Sequence, residues 1–237
     1  MSMFVAIVAG AALGQTVGID DVWQSGLKDA SFRMKVDKAS QKELQKINKD
    51  FAMSYRFDYT DVDMKEPFML RLESVVDQER LLYIVNGPTR LIKIPRAKIN
   101  KREDLSKSPG KRQTIFDFGI IAPSIFSNYM QAKFVRVDRA TSDAVFDVTY
   151  VPALKDGTRH RIWVDREKKV VTKREWYNQK GGFLQATFNY SKPQKFGTLW
   201  MNTRMDVYNA DGKFAGGTDF VGMKVNQNLA ATMFAVK

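Results

Sequence analysis

From Ser54 onward, apolar and polar residues alternate at every second position, and that period predicts β-strands with one buried face. Tyr55, Phe57 and Tyr59 alternate with Arg56, Asp58 and Thr60; Phe68, Leu70, Leu72 and Ser74 alternate with Arg71 and Glu73. The runs RLLYIVNG and TRLIKIP flank Asn86-Gly87-Pro88, a hairpin signal. Four strands in succession with no helix between them predict an antiparallel meander. Seven further runs follow: KFVRVDR, AVFDVTYVP, HRIWVDRE, KVVTKREWYN, FLQATFNYS, TLWMNTRMDVYN and GGTDFVGMKVN. The total is about eleven strands, mostly antiparallel.

A period near 3.6 marks the exceptions. Val22, Trp23 and Leu27 have helical spacing within 18–31. Over 40–52, Leu44, Ile47 and Phe51 form one apolar stripe, with Ser40 and Glu43 placed as a capping box. Between the fourth and fifth strands the pattern breaks. Residues 96–113, rich in Lys, Arg, Ser, Gly and Pro, read as an exposed loop; a strongly apolar stretch follows, Ile115 to Ala122, and then a short helix over 123–131 opening on Pro123. The fold class expected is mainly β with helices (α+β), built as one domain over residues 15–237.

The first 14 residues stand apart. Met3 to Leu13 is an apolar run too short to span a bilayer, and Ala12 and Gly14 suit a cleavage site before Gln15. Residues 1–14 are therefore expected to be a secretory signal peptide, although no basic residue precedes the run. With no cysteine in the chain, thiol chemistry, disulfides and a lipidated N-terminal cysteine are excluded. The expected location is the periplasm, or another extracytoplasmic compartment, without a lipid anchor.

Several words in the second half carry a family resemblance: Trp163-Val164-Asp165, Val170-Val171 with Lys173-Arg174-Glu175, Asn189-Tyr190, Leu199-Trp200 with Thr203-Arg204, and Val225-Asn226 before Phe234. With the mid-chain apolar insertion, this order of elements resembles the LolA-type outer-membrane lipoprotein-sorting family. The resemblance implies an incomplete antiparallel β-barrel, a curved sheet with helices packed into its mouth. It also implies carriage of acylated or lipid-like ligands in the hollow between them, and the same fold serves envelope sensors.

The residues point the same way. An open curved sheet needs cover for its apolar concave face. Expected on that face are Phe57, Tyr59, Leu70, Leu72, Tyr83, Val85, Phe146 and Val148, joined by Tyr55, Tyr150, Trp176, Phe188 and Met205. Either they line a ligand cavity or they form an ordinary core. Phe116, Phe118, Ile120 and Ile121 are too apolar for a surface connector and read as a movable lid or a docked plug.

Composition adds a charge argument. The formal net charge is +12, and nine basic residues against two acidic ones lie between Arg90 and Arg112. Lys98, Lys101, Arg102, Lys111 and Arg112 either contact an anionic membrane surface or form a solvated loop. The stretch holds no aromatic residue for base stacking, so nucleic acid is not expected. The single histidine, His160, between Arg159 and Arg161, reads as an exposed strand residue outside any catalytic triad. Asp58, Asp61 and Asp63 lack the glycine and distal glutamate of a calcium loop. No metal, cofactor or catalytic residue is expected. The function expected is a monomeric carrier of a lipid or an acylated protein; the alternatives are a sensor that engages envelope membrane proteins and, third, an enzyme.

Overall fold

In the computed structural model of the protein, residues 16–236 are described, and the expected signal segment lies outside them. Among these residues thirteen strands form one curved antiparallel sheet that does not close. They are β1 (Asp29–Ala39), β2 (Tyr59–Lys65), β3 (Met69–Val76), β4 (Glu79–Asn86), β5 (Thr89–Ile94), β6 (Ile99–Asp104), β7 (Met130–Val137), β8 (Ala144–Tyr150), β9 (Arg159–Asp165), β10 (Val170–Tyr177), β11 (Leu184–Phe196), β12 (Leu199–Asn209) and β13 (Phe214–Val225). The order across the sheet is β6-β5-β4-β3-β2-β1-β13-β12-β11-β10-β9-β8-β7. Two meanders, β1–β6 and β7–β13, are thus fused where β1 pairs with β13 (Met34 opposite Phe220). Residues 105–129 join the two free edges, β6 and β7, and this insertion runs through the hollow of the sheet.

Two strands exceed the sequence expectation. β1 replaces the end of the expected 18–31 helix, because Ala30, Phe32, Met34 and Val36 alternate with Ser31, Arg33, Lys35 and Asp37. Ahead of it, Val17, Val22 and Leu27 are buried in turns, not on a helical face. β6 lies within the segment expected to be a loop. As an edge strand it carries Asn100, Lys101, Arg102, Glu103 and Asp104, the charged dressing that discourages further pairing.

The expected 40–52 helix divides at Asn48 into α1 (Gln41–Ile47) and α2 (Lys49–Ser54). Asn48 donates its backbone N–H to the Leu44 carbonyl, while its side chain accepts from the N–H groups of Asp50 and Phe51. One residue ends the first helix and caps the second. The Ser40 hydroxyl accepts from the Glu43 N–H, but the Glu43 carboxylate takes Asn209 Nδ2 at 2.7 Å instead of completing the box. α2 also moves the first expected strand. Tyr55 follows the helix, Phe57 lies in the link, and β2 begins at Tyr59. The inward residues of β2 are Thr60, Val62 and Met64, so Tyr59 faces outward beneath the Arg33 guanidinium, 4.0 Å from its ring centre.

α3 is shorter than expected, Pro123–Asn128, with β7 starting at Met130. The main core fills the concave side, covered by α1 and α2 (Leu44, Ile47, Ala52) and by the insertion (Ile115, Phe116, Phe118, Ile120, Ile121, Ile125). A second cluster lies on the opposite face of β4 and β5, where fully buried Phe234 packs on Ile84 and Leu91.

Candidate functional site

The hollow is built from the inward positions of the strands. Leu70, Leu72, Val85, Phe146, Val148, Tyr150, Phe188 and Met205 are buried in the main core, and Tyr83 and Trp176 pack against it. Phe57 and Tyr59 lie outside that core. The four residues expected to form a lid, Phe116, Phe118, Ile120 and Ile121, are all buried within it.

The insertion is shaped by local chemistry. A 3₁₀ turn at Ile115–Phe118 is capped reciprocally: the Thr114 hydroxyl accepts from the Phe116 N–H, and the Thr114 N–H donates to Asp117 Oδ2 at 3.0 Å. Gly119 ends the turn with φ +74°, a left-handed conformation that brings its backbone against the Tyr190 ring. Phe118 then meets Phe32 edge-on, with centroids 5.6 Å apart.

Polar contacts hold the segment down at several points. Gln24 N–H donates to the Ile121 carbonyl at 3.0 Å. The Tyr190 hydroxyl donates to the Asp117 carbonyl at 3.1 Å. Ser124 donates its hydroxyl to Glu66 at 2.7 Å, and burial raises the pKa of that carboxyl. Arg112 stacks on Tyr129 and Phe68, 3.9 and 4.7 Å from their centres, and donates to the Gly87 carbonyl.

Arg112 is therefore a strut of the insertion and not a free surface charge. Lys98, Lys101, Arg102 and Lys111 are exposed, with Lys101 paired to Glu103 at 2.6 Å. Hydrogen bonds from Lys101 and Arg90 hold the Glu103 carboxyl down at about 2. Lys107, Lys111 and Lys155 flank an open groove of about 360 Å³ at the rim, with Trp176 in its wall.

Beneath the insertion lies a polar centre that strand alternation alone did not flag. Arg174 is 4% exposed, sandwiched between Phe188 (4.1 Å) and Phe116 (5.3 Å), and donates from Nη1 to Asp117 Oδ1 at 3.1 Å. Burial works against its charge, but Tyr190 and Asp117 outweigh that cost and raise its pKa. Burial pushes the Tyr190 phenol up to about 12. His160 is buried, which corrects the expectation of an exposed residue: it shares strand parity with inward Ile162 and Val164 and meets Phe116 edge-on at 5.2 Å. Burial, then the charges of Arg174 and Arg159, hold its pKa well below the usual histidine range. Its Nδ1 and the Arg174 Nε have no hydrogen-bond partner among the described residues.

The space left beside the insertion is small. A crevice of about 240 Å³, part of it open solvent, runs between Phe68 and Leu70 on one side and Ile115 and Ile125 on the other. Only about 10 Å³ of it would hold the centre of a water molecule, far below the ~300 Å³ at which ligand pockets begin. With the insertion docked, the hollow is a core.

Among the described residues, no helix is long and apolar enough to cross a membrane. No family model and no curated protein matches the sequence. Solved structures do match in shape. A LolA superfamily protein from Nitrosomonas europaea superposes with a TM-score of 0.61 at 14% identity, over 92% of this chain and 94% of its own. An outer membrane lipoprotein-sorting protein domain from Vibrio parahaemolyticus gives 0.60 at 12%, over 91% and 92%. A DUF1329 family protein from Desulfovibrio piger gives 0.53 at 12%, over 92% of each chain. The chain has the LolA-like fold.

Proposed function

We propose that this protein is a carrier that shields an acyl chain inside the hollow of its sheet, with the insertion 105–129 as a displaceable plug. The observation that carries the reading is where the strongly apolar stretch Ile115 to Ala122 sits. Phe116, Phe118, Ile120 and Ile121 lie where a ligand would lie, on a segment that only bridges two sheet edges. Leaving the hollow empty would forfeit ~1.5–3 kcal/mol per buried side chain, ~6–12 kcal/mol for the four. An acyl chain of about sixteen carbons returns ~0.8 kcal/mol per methylene, or ~12 kcal/mol. The two occupants are close to matched, as a reversible carrier requires.

The LolA-like fold of the superposed structures supports the same reading, as does the apolar leader of a secretory type for a location outside the cytoplasm. Lys98, Lys101, Arg102 and Lys111 give the free edge and rim a basic surface that suits anionic headgroups. The reading includes no catalysis: among the described residues, His160 Nδ1 has no partner to orient the ring and no nucleophile donates to it.

Native mass spectrometry of protein purified under mild conditions, followed by lipid extraction and titration with a fluorescent fatty-acyl probe, tests the proposal. A copurifying acyl species or saturable one-to-one uptake is the expected result. A ligand-free protein that takes up no probe removes its basis.

A further inference from the structure

We infer that Arg174 is the head-group anchor of the hollow, so that the cargo is a carboxylate-headed amphiphile of the fatty-acid class and not a neutral acyl chain. The inference rests on the carrier reading and names its ligand.

The Arg174 guanidinium is buried in aromatic surroundings, and its ion-pair partner, Asp117, belongs to the displaceable insertion. Withdrawing the insertion removes that carboxylate together with the apolar plug. A neutral chain entering the vacated hollow would leave a guanidinium buried and unpaired, the most costly arrangement for a charged group. A ligand carboxylate avoids this by taking the place of the Asp117 side chain. The insertion thus imitates its cargo: Asp117 stands in for the head, while Phe116, Phe118, Ile120 and Ile121 stand in for the chain.

Arg174 also has unused capacity. Asp117 engages only Nη1, and Nε–H is buried without an acceptor. A free carboxylate can instead take Nε and an Nη in the two-pronged pairing that a capped aspartate, held by Thr114, does not make here. Buried polar atoms are nearly always satisfied, so the orphaned Nε–H and the neighbouring orphaned His160 Nδ1 mark a place for further polar atoms. Tyr190 completes the set, since its hydroxyl, now donated to the Asp117 carbonyl, is released when the insertion leaves.

The test compares cis-parinaric acid with its methyl ester on the full chain, with acetate as a chainless control. Wild-type protein is expected to bind the acid at least about tenfold tighter than the ester, the discrimination that one hydrogen bond to a buried charge supplies. Acetate is expected to leave both unaffected, and competition by acetate alone would contradict the requirement for a chain. Arg174→Gln should bring the two probes to equal affinity. Asp117→Asn, which keeps an oxygen for the Thr114 N–H, leaves Arg174 without its ion pair in the closed state only, so it should tighten acid and ester by the same factor and preserve the preference for the acid. Unchanged affinity for both would contradict the exchange of Asp117 for ligand, and this readout survives if Arg174→Gln fails to fold. Equal binding of acid and ester by the wild type overturns the head-group assignment and leaves the carrier reading intact. Binding of neither probe overturns both.

Discussion

Replacing Gly119 by alanine separates a displaceable plug from a permanent core. The residue sits at φ +74° and ψ 22°, where a side chain costs ~1–2 kcal/mol. An added Cβ would stand 2.7–2.8 Å from three ring atoms of Tyr190. That ring is 4% exposed and tied by its hydroxyl to Asp117, so it has little room to retreat. Overpacking of this kind costs ~1–3 kcal/mol. The closed state should therefore rise by ~2–5 kcal/mol. A state with the insertion withdrawn escapes both penalties, because neither the left-handed backbone nor the ring contact persists there. Its population relative to the closed state should increase by ~30- to ~4000-fold.

A ligand that binds only the open state gains affinity by the same factor until that state dominates. The assays are a urea midpoint and an acyl-probe titration on the same protein, with far-ultraviolet circular dichroism to verify the sheet. The expected result is lower stability, unchanged strand signal and a tighter probe. Lower stability with probe affinity unchanged or weakened would refute the reasoning, because the insertion would then be core that no ligand replaces.

Two further perturbations probe separate parts of the molecule. The folded-state pKa of His160 is depressed, so its contribution is present above the unfolded value near 6.5 and is lost as pH falls below it. Wild type should lose ~1.4 kcal/mol between about pH 7.5 and 5.5 relative to His160→Gln, measured by urea denaturation at each pH. Glu66, whose pKa burial raises, acts in the opposite sense, so the difference between the two proteins carries the test; parallel curves would contradict it. Phe234→Ala should cost ~3–5 kcal/mol in the same assay, because the ring is fully buried. Since it packs with Ile84 and Leu91 away from the hollow, the affinity of the variant for an acyl probe should not change.

The architecture was legible where one strand face is wet and the other dry. β3 and β8 announce themselves through Leu70 and Leu72, and through Phe146, Val148 and Tyr150, on single faces. β6 was not legible, because a charged edge strand exposed on both sides has no apolar period to read. β1 does alternate, but its methionine and lysine stems blur the contrast, and the helical spacing of Val22, Trp23 and Leu27 drew the expected helix into its start. The inverted face of Tyr59 came from Asn48. Its capping side chain starts a second helix that consumes Phe51 to Ser54 and shifts the strand beyond it.

The apolar half of the candidate site was visible in the unusual density of Phe116 to Ile121. The polar half was not. A charged residue in a strand reads as solvent-facing, and the ion-pair partner that helps hold Arg174 inside, Asp117, lies 57 positions earlier in the chain. His160 did carry a usable signal, its parity with Ile162 and Val164. The adjacent arginines masked it, since Arg159 and Arg161 both point to the outer face and pair with Asp147.

The central claim, that an acyl chain and the insertion compete for one hollow, is tested most directly by amide hydrogen exchange over residues 114–122 with and without a sixteen-carbon fatty acid. Without ligand these amides should exchange slowly, as befits Phe116, Ile121 and Ala122 in the core. With ligand they should lose protection while β8 to β13 keep or gain it. Protection over 114–122 that is unchanged or increased at saturating ligand would contradict the account.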